Sequence, residues 1–310
     1  MTFGLQIDEP AARSVLDRAA GGGVTFLDTA DVYPLGSGVD LAGTTEEIIG
    51  RWLKGRRQEF VLATKCYGRT GPQPWDVGNS RRHIMDAIDA SLRRLGTDYI
   101  DLYQLHQDDP ETPIDETLRA LDDLVRSGKV RYIGCSNFLA YRLARALGRS
   151  DALGLARFDS VQPRYNLLFR EFERDLFPLC LDEGVGLIPY NPLAGGMLSG
   201  KHGPGQSPAE GTRFTIPGAG AMYQERYWHD REFDAVDAFQ QIAKEAGLKP
   251  ATLAVAWVLH QPAVTAPILG ASRPDQLDDT LAAAEVKLDD DMMHKLDELT
   301  RGFRRGDASR

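Results

Sequence analysis

The sequence lacks the excess of positive charge that a nucleic-acid partner requires. Its 36 Lys and Arg are outnumbered by 45 Asp and Glu, so the formal net charge is 36 − 45 = −9. A phosphate backbone binds a clustered cationic face that releases its counterions, so nucleic acid is not expected as the main partner. The chain also has no run of about 18 apolar residues, and no membrane-spanning helix is expected.

Cysteine is scarce, and several common site motifs are missing. Cys66, Cys135 and Cys180 are an odd number of widely spaced thiols with no signal peptide before them, which favours a reducing cytoplasm over a disulfide scaffold. The six histidines include no HxxxH pair, and no paired cysteines accompany them, so no metal is expected. No GxGxxG follows a strand-like run and opens a helix, which leaves a Rossmann cofactor site unsupported.

The chain does have a repeated strand and helix pattern. Seven short runs are rich in β-branched and aromatic residues and are nearly continuously apolar, as strands covered on both faces of a parallel sheet are. These runs lie at 24–30, 60–65, 99–106, 132–137, 160–166, 186–192 and 265–272. Amphipathic stretches between them predict helices, and one carries a capping box at Thr44 and Glu47, which predicts Thr44 as its N-cap.

The spacing of these units predicts a barrel. Residues near the ends of the first six runs follow one another at steps of 26 to 41 positions, close to the roughly 31 per unit of an eightfold barrel of about 250 residues. We therefore predict an α/β fold, a (β/α)8 TIM-type barrel, as a single domain over 1–310. A long loop or lid is expected at about 194–235 and a C-terminal helical segment at about 289–302. Seven runs are one fewer than closure requires, so the first strand is expected to be shortened or missing at the N-terminus.

Polar residues end several of these runs. Asp28, Lys65 and His106 each lie near the end of an apolar run, and Tyr33 follows the first. Singly, each has an ordinary explanation as a turn cap, a solvated lysine, a core histidine or a surface tyrosine. In a parallel barrel, however, the carboxyl ends of the strands converge where the active site lies. Together these groups suit proton transfer to a carbonyl oxygen. A Tyr33 acid needs the Lys65 charge beside it, Asp28 can hold that charge, and an imidazole can orient the oxygen.

The contexts FLDTADVY, LATK and YQLHQ around these four residues resemble the catalytic tetrad of the aldo-keto reductases. The resemblance runs from about Phe26 to Thr280 and includes the segments TPIDETLRALDDLVRSGKVRYIGCSNF, QPRYN, PYNPLAGGMLSGK and LGASRPDQL. It implies an (α/β)8 barrel in which Tyr33 is the general acid, Lys65 and Asp28 are its tuning pair, and His106 orients the carbonyl. Members of the family have a hairpin and a first strand ahead of the segment matching MTFG. Residues 3–5 are therefore expected to adjoin the cofactor end of the barrel.

The resemblance also implies a nicotinamide cofactor site. Ser136, Asn137 and Gln162 match the residues that hold the carboxamide, and Tyr190 matches the aromatic on which the ring stacks. Arg273 lies in the segment that grips the adenosine 2′-phosphate, and because a guanidinium suits a phosphate dianion, NADPH is expected rather than NADH. The implied cofactor-binding residues are Ser136, Asn137, Gln162, Tyr190, Asn191, Leu193, Gly270, Ser272, Arg273, Gln276, Asp279 and Thr280. Two of them depart from the family pattern: Asn191 stands where many relatives have serine, and Thr280 where asparagine is common.

The sequence thus predicts a cytoplasmic, NADPH-dependent oxidoreductase that reduces a small aldehyde or ketone to an alcohol. Two other functions stay open. One is a redox-sensing subunit that binds NADPH with little turnover and serves a partner protein. The other is a lyase or aldolase that uses Lys65 as a Schiff-base amine, against which Asp28 and Tyr33 speak because they suit a charged lysine. A homo-oligomer is compatible with the sequence.

Overall fold

The computed structural model describes residues 1–304, which belong to two compact units. The first unit comprises Met1–Gln162 with Glu183–Val185, and the second comprises Pro163–Asp182 with the chain from Gly186 onward. Among the described residues, none of the helices is both long enough and apolar enough to cross a bilayer.

The first unit is a parallel sheet whose strands alternate with helices. Its strands are β1 Phe26–Asp28, β2 Val61–Cys66, β3 Ile100–Leu105, β4 Val130–Ser136 and β5 Phe158–Gln162. They pair in sequence order, each parallel to the next. Its helices are α1 Glu9–Gly21, α2 Thr44–Leu53, α3 Arg81–Leu95, α4 Ile114–Arg126 and α5 Ala140–Leu153. The predicted α/β class, with parallel strands and intervening helices, is confirmed.

Helical periodicity places an apolar face of each of these helices in the core. In α4, Leu118, Leu121 and Leu124 are fully buried at a three-residue spacing, which keeps them near one face of the helix. Burial of each such side chain contributes about 1.5–3 kcal/mol, which is where most of the stability of an amphipathic helix arises. Glycine then ends α3: Gly96 adopts the left-handed conformation, with φ of 64°, and caps the last turn.

Helix α2 begins differently from the sequence prediction. Its N-cap is Gly43, which is left-handed with φ of 89°, and no side chain caps the helix. The predicted capping box at Thr44 and Glu47 is therefore wrong. A Cβ at Gly43 would lie 2.4 Å from Cδ of Arg94, so this close approach and the positive φ together require glycine at the cap.

The N-terminal segment lies against the loop that follows β1. The backbone oxygen of Phe3 accepts a hydrogen bond from Oγ1 of Thr45 at 2.8 Å, and the oxygen of Met1 accepts one from the amide of Leu35 at 2.9 Å. Phe3 forms an isolated bridge with Ile7 and is not part of a strand. That residues 3–5 adjoin the cofactor stays a prediction.

The second unit is mainly helical. Its helices are α6 Leu176–Glu183, α7 Gly220–Tyr227, α8 Asp230–Glu245, α9 Pro250–Leu259, α10 Gln276–Leu281 and α11 Asp290–Thr300, and its strand is β6 Gly186–Leu187. The last residue of α6 falls in the first unit. Helix α9 is buried almost all round, and its Trp257 stacks on Tyr165 with ring centres 5.2 Å apart. This helix forms the centre of the second unit's core.

Proline shortens the predicted strands of the second unit. The run 186–192 is a strand only over Gly186–Leu187, and the run 265–272 is not a strand. Two isolated parallel bridges remain, from Leu187 to Val264 and from Tyr190 to Ile268. The runs contain Pro189 and Pro267, which have no amide hydrogen and cannot continue a ladder. The prediction of a seventh strand at 265–272 is therefore wrong.

Candidate active site

Lys65 and Asp28 form a closed ion pair in the first unit. Asp28 ends β1 opposite Ala63 of β2, and Lys65 is the next residue on the same face of β2. The Nζ of Lys65 donates to Oδ2 of Asp28 at 2.5 Å and to the backbone oxygen of Thr29 at 2.9 Å. The Lys65 side chain is 0% exposed and that of Asp28 is 7% exposed. Since a single buried charge costs several kcal/mol, removing either group would leave the other buried without a counter-charge.

The second oxygen of the Asp28 carboxylate is also fully used. Its Oδ1 accepts hydrogen bonds from Nε2 of Gln104 at 3.0 Å and from Nε2 of Gln162 at 2.9 Å. Gln104 pairs in register with Lys65 on the neighbouring strand. The sequence prediction missed Gln104, although a polar residue in an apolar strand, two positions before His106, is a usable signal because alternate residues share a face.

A glycine makes room for Gln104. A Cβ at Gly134 would lie 2.6 Å from Oγ of Ser160 and 3.2 Å from Cγ of Gln104. Any side chain at this position of β4 would displace the glutamine that holds Asp28. The close approach, rather than a special backbone angle, explains this glycine.

Tyr33 and His106 lie beside the ion pair. The Tyr33 ring centre is 5.5 Å from Nζ of Lys65 and 5.6 Å from the His106 ring centre, with the two rings edge to face at 82°. The backbone oxygen of Tyr33 accepts hydrogen bonds from the amides of Gly43 and Thr45, at 3.1 and 3.3 Å, which tie the loop to the start of α2. The structure therefore brings together the four side chains that the sequence singled out.

His106 is held as a neutral imidazole. Burial, and then the positive charge of Lys65, lower the pKa of His106 to about 3. Its amide donates to the oxygen of Cys66 at 2.8 Å, which anchors the backbone just beyond β3. A neutral imidazole has one N–H to donate and one nitrogen that accepts, so at neutral pH His106 can hold an oxygen in place without being a source of a proton.

The three predicted carboxamide residues cluster next to these groups. Nδ2 of Asn137 donates to the backbone oxygen of His106 at 2.9 Å and to Oγ of Ser136 at 3.1 Å, and that hydroxyl donates to the oxygen of Gln162 at 2.7 Å. Asn137 is left-handed, with φ of 57°, a conformation that asparagine tolerates better than most residues. A carboxamide has one acceptor and two donor hydrogens, and the side chains gathered here include both complements.

In the second unit, Tyr190 and Asn191 follow β6. The amide of Tyr190 donates to the oxygen of Pro163 at 2.9 Å, and burial raises the pKa of the Tyr190 phenol. Asn191 is left-handed with φ of 64°, and its Oδ1 accepts from the amide of Gly195 at 2.6 Å while its Nδ2 donates to the Tyr227 hydroxyl at 2.9 Å. The asparagine that departs from the family pattern therefore uses both a donor and an acceptor.

The second unit also contains a group of cations that the sequence prediction missed in part. Burial, and then the charges of Arg273 and Arg213, lower the pKa of Lys201. Among residues 1–304, no carboxylate forms a salt bridge with Lys201. A Cβ at Gly196 would lie 3.3 Å from Nζ of Lys201, so the ammonium lies close against the bare backbone there. A phosphate would relieve the repulsion among these three cations, so the donor set fits a dinucleotide.

The other implied cofactor residues have different surroundings. Oε1 of Gln276 accepts from the amide of Ser272 at 2.9 Å, which joins these two near Arg273. Thr280 is buried, and its hydroxyl donates to the backbone oxygen of Leu277 at 3.2 Å. Asp279 forms an ion pair with Lys249 at 2.6 Å. Gly270 is exposed, and Leu193 packs partly buried against the apolar cluster around α9.

A further buried acid, Asp31, contacts the backbone of Lys65. Asp31 is 1% exposed, its amide donates to the oxygen of Lys65 at 3.0 Å, and neither of its carboxyl oxygens has a hydrogen-bond partner among the described residues. Burial, and then the charge of Glu46, raise the pKa of Asp31. The carboxylate of Glu46 accepts hydrogen bonds from the Thr64 hydroxyl at 2.5 Å and from Nε of Arg94 at 2.7 Å.

Over residues 1–304, no group of three or more His, Cys, Asp or Glu is placed to hold a metal ion.

Comparison with known proteins identifies the family. The pattern of the Aldo/keto reductase family matches residues 1–301. The chain is 38% identical over 310 aligned residues to the uncharacterized oxidoreductase YrpG of Bacillus subtilis (strain 168), covering 97% of this chain and 90% of that protein. It is 36% identical to the versiconal hemiacetal acetate reductase of Aspergillus parasiticus, over 95% of this chain and 88% of that one. It is also 37% identical to a probable voltage-gated potassium channel subunit beta of Arabidopsis thaliana, over 92% of this chain and 85% of that one. The chain therefore belongs to the aldo/keto reductase family and is an oxidoreductase, an enzyme that acts on carbonyl compounds or alcohols.

Proposed function

We propose that the protein is an NADPH-dependent carbonyl reductase in which Tyr33 protonates the carbonyl oxygen. One observation carries this proposal: the Lys65 ammonium, paired with Asp28 at 2.5 Å, lies 5.5 Å from the ring centre of Tyr33. An acid of this kind needs a fixed cation nearby, because the phenol becomes a phenolate as it gives up its proton.

Each of the four residues has a separate part in the proposed reaction. The Tyr33 hydroxyl donates its proton to the oxygen of the substrate carbonyl. The charge of Lys65 stabilises the negative charge that develops on the phenol oxygen, and Asp28 keeps that ammonium charged and fixed. His106, neutral because its pKa is lowered to about 3, donates a hydrogen bond to the same carbonyl oxygen and orients it.

The donor groups described above support the choice of NADPH as the cofactor. A bound NADPH would supply the hydride that reduces the carbonyl carbon. Ser136, Asn137 and Gln162 would hold its carboxamide, and Tyr190 would pack against its ring. Lys201 and the two arginines, 213 and 273, would hold its phosphates. Arg273 would take the 2′-phosphate, which supports NADPH over NADH.

We propose further that the chain works as a single (β/α)8-type barrel domain with a shortened first strand, the architecture that its family implies. The alternation of parallel strands and helices in the first unit supports this. The segment 194–235 would be the lid and 289–302 the C-terminal helical segment. A cytoplasmic location is supported by the three cysteines, all of them buried and none joined to another by a disulfide.

The proposed function is tested by incubating the purified protein with NADPH and an activated aromatic aldehyde. The reduced-nicotinamide absorbance should fall in step with formation of the alcohol, and NADH should support a lower rate at equal concentration. Absence of alcohol formation across a panel of aldehydes and ketones, with NADPH bound, would contradict reductase activity.

Such an outcome would favour the second candidate, a redox-sensing subunit. The relative from Arabidopsis thaliana that is named as a channel subunit beta is the observation in its favour. An aldolase role for Lys65 has less support, because a Schiff-base amine must lose its proton to react, whereas this ammonium is enclosed and paired with Asp28. Borohydride should therefore trap no carbonyl compound on Lys65.

A further inference from the structure

Tyr227 connects helix α7 to the loop that follows Tyr190. It is 1% exposed at the C-terminal end of α7, and its hydroxyl oxygen accepts two hydrogen bonds. One comes from Nδ2 of Asn166 at 3.0 Å and the other from Nδ2 of Asn191 at 2.9 Å. Burial raises the pKa of Tyr227 to about 12, so the group is an uncharged phenol. Both lone pairs of its oxygen are thus used by side-chain amides.

The second of these amides belongs to a backbone turn with several residues in the left-handed region. Within 191–196, the cofactor loop, φ is 64° at Asn191, 50° at Ala194 and 72° at Gly195. A left-handed residue other than glycine costs on the order of 1–3 kcal/mol, so surrounding contacts must hold it in place. Oδ1 of Asn191 accepts from the amide of Gly195 at 2.6 Å, and the Asn191 backbone oxygen accepts from Asn166 at 3.0 Å.

The cofactor loop ends against Lys201. A Cβ at Gly196 would lie 3.2 Å from Cε and 3.3 Å from Nζ of Lys201, and φ at Gly196 is 102°. The position of the Lys201 ammonium therefore depends on the path of the backbone through this turn. Tyr227 fixes the other end of the same turn through Asn191.

We propose that Tyr227 is a positioning residue for cofactor binding: through Asn191 it fixes the cofactor loop and so sets the affinity for the dinucleotide phosphates at Lys201. The inference rests on the proposed function, because that function assigns the phosphates to Lys201. Tyr227 is not a catalytic residue, since it acts only through Asn191. Its loss should weaken NADPH binding and leave the proton transfer at Tyr33 intact.

The variant Tyr227→Phe removes the hydroxyl and keeps the ring. We expect the Kd of NADPH, measured by fluorescence titration without substrate, to rise about tenfold, because the buried amide of Asn166 and the half-buried amide of Asn191 lose an acceptor. At saturating NADPH, kcat and the KM of the aldehyde should stay within about twofold of the parent. A residue with only a structural role would not divide its effect between Kd and kcat in this way.

Tyr223→Phe is the matched control. Tyr223 lies one turn earlier in α7 and is 4% exposed, and its hydroxyl makes no side-chain hydrogen bond within residues 1–304. The same chemical change should therefore leave the Kd of NADPH within about twofold. An equal loss of affinity in both variants would contradict a specific role for the Tyr227 hydroxyl.

A double-variant cycle tests the route through Asn191. In an Asn191→Ala background, Tyr227→Phe should change the Kd by less than about twofold, because the contact through which it acts is already gone. Should Tyr227→Phe fail to fold, Asn191→Ser carries the same test, since serine removes the side-chain amide that donates to Tyr227, and it should raise the Kd similarly. The inference would be overturned if Tyr227→Phe left the Kd of NADPH unchanged. It would also be overturned if Tyr227→Phe raised this Kd by the same factor in the parent and in the Asn191→Ala background.

Failure of the proposed function is distinguishable from failure of this inference. If the parent protein binds NADPH but reduces no carbonyl compound, the proposed function is wrong, whereas the Kd pattern still supports Tyr227 as a positioning residue. A parent protein that does not bind NADPH would overturn both.

Discussion

The ammonium of Lys65 contacts the carboxylate of Asp28 at 2.5 Å, and Lys65 has no exposure to solvent. Neither charge can be moved to water without rearranging the sheet. The cation beside Tyr33 is therefore a fixed part of the fold, and the stability of the first unit and its proposed chemistry depend on the same pair.

Replacing Lys65 alone should lower both the stability of the first unit and the rate of the proposed reaction. For Lys65→Met we expect kcat to fall at least about a hundredfold and the free energy of unfolding to fall by about 3–5 kcal/mol, because Asp28 is left buried without a counter-charge. Urea denaturation measures the second effect. The double variant with Asp28→Asn should regain most of the stability and none of the activity. A double variant no more stable than Lys65→Met would contradict the account of the pair.

The neutral state of His106 predicts a loss of stability in acid. The pKa of His106 is lowered to about 3 by burial and by Lys65, whereas an unfolded histidine titrates near about 6.5. The unfolded state therefore gains a proton first, and stability falls as the pH drops from about 6.5 towards 3. Between about pH 6.5 and 5 this group should account for up to about 2 kcal/mol.

The measurement is the difference in unfolding free energy between those two pH values, in the parent and in His106→Gln. The other histidines are present in both proteins and cancel, so the variant should lose up to about 2 kcal/mol less than the parent. Equal losses would show that His106 does not carry the pH dependence.

The contribution of Asp31 to stability should depend on pH in the opposite direction to that of His106. Its carboxyl lacks hydrogen-bond partners within the described residues, and burial raises its pKa. The folded state keeps a proton that the unfolded state releases above about pH 3.9, so stability falls as the pH rises towards the folded pKa. Asp31→Asn cannot titrate and should be more stable than the parent at pH 8. The gain should shrink at pH 5, by up to about 1.4 kcal/mol per pH unit. If the difference in unfolding free energy between Asp31→Asn and the parent were the same at pH 5 and pH 8, the prediction would be contradicted.

Arg273 should set the preference for NADPH. Arg273→Ala should raise the KM of NADPH about 10- to 100-fold, as expected for loss of a charged contact to phosphate, and change that of NADH by less than about threefold. Arg126→Ala is a matched control, because Arg126 is 67% exposed and paired with Asp122, as Arg273 is 65% exposed and paired with Asp275. Equal effects on both cofactors would show that Arg273 does not contact the 2′-phosphate.

Much of the structure of the first unit could be predicted, because the patterns that specify its strands lie within single segments of the sequence. Continuous apolar runs specify parallel strands, and the carboxyl ends of parallel strands meet at one edge. Asp28, Lys65 and His106 could therefore be grouped from their positions at run ends, although they lie far apart in sequence.

Other features depend on tertiary contacts that no single segment contains. The bond from Gln104 to Asp28 requires the strand register, which packing and turns fix. The cap at Gly43 depends on where Arg94 packs. The strand at 265–272 was predicted from composition, although Pro267 removes an amide that a ladder needs. Lys201 was within a recognised segment, but its proximity to two arginines is evident only from the fold.

The central claim is that the Tyr33 hydroxyl is the acid, and the variant Tyr33→Phe tests it most directly. Aldehyde reduction is followed by the reduced-nicotinamide absorbance, and NADPH affinity is measured by fluorescence titration on the same preparation. The account predicts that kcat falls about a thousandfold while the Kd of NADPH stays within about twofold of the parent. A Tyr33→Phe protein that reduces the aldehyde as fast as the parent would contradict it.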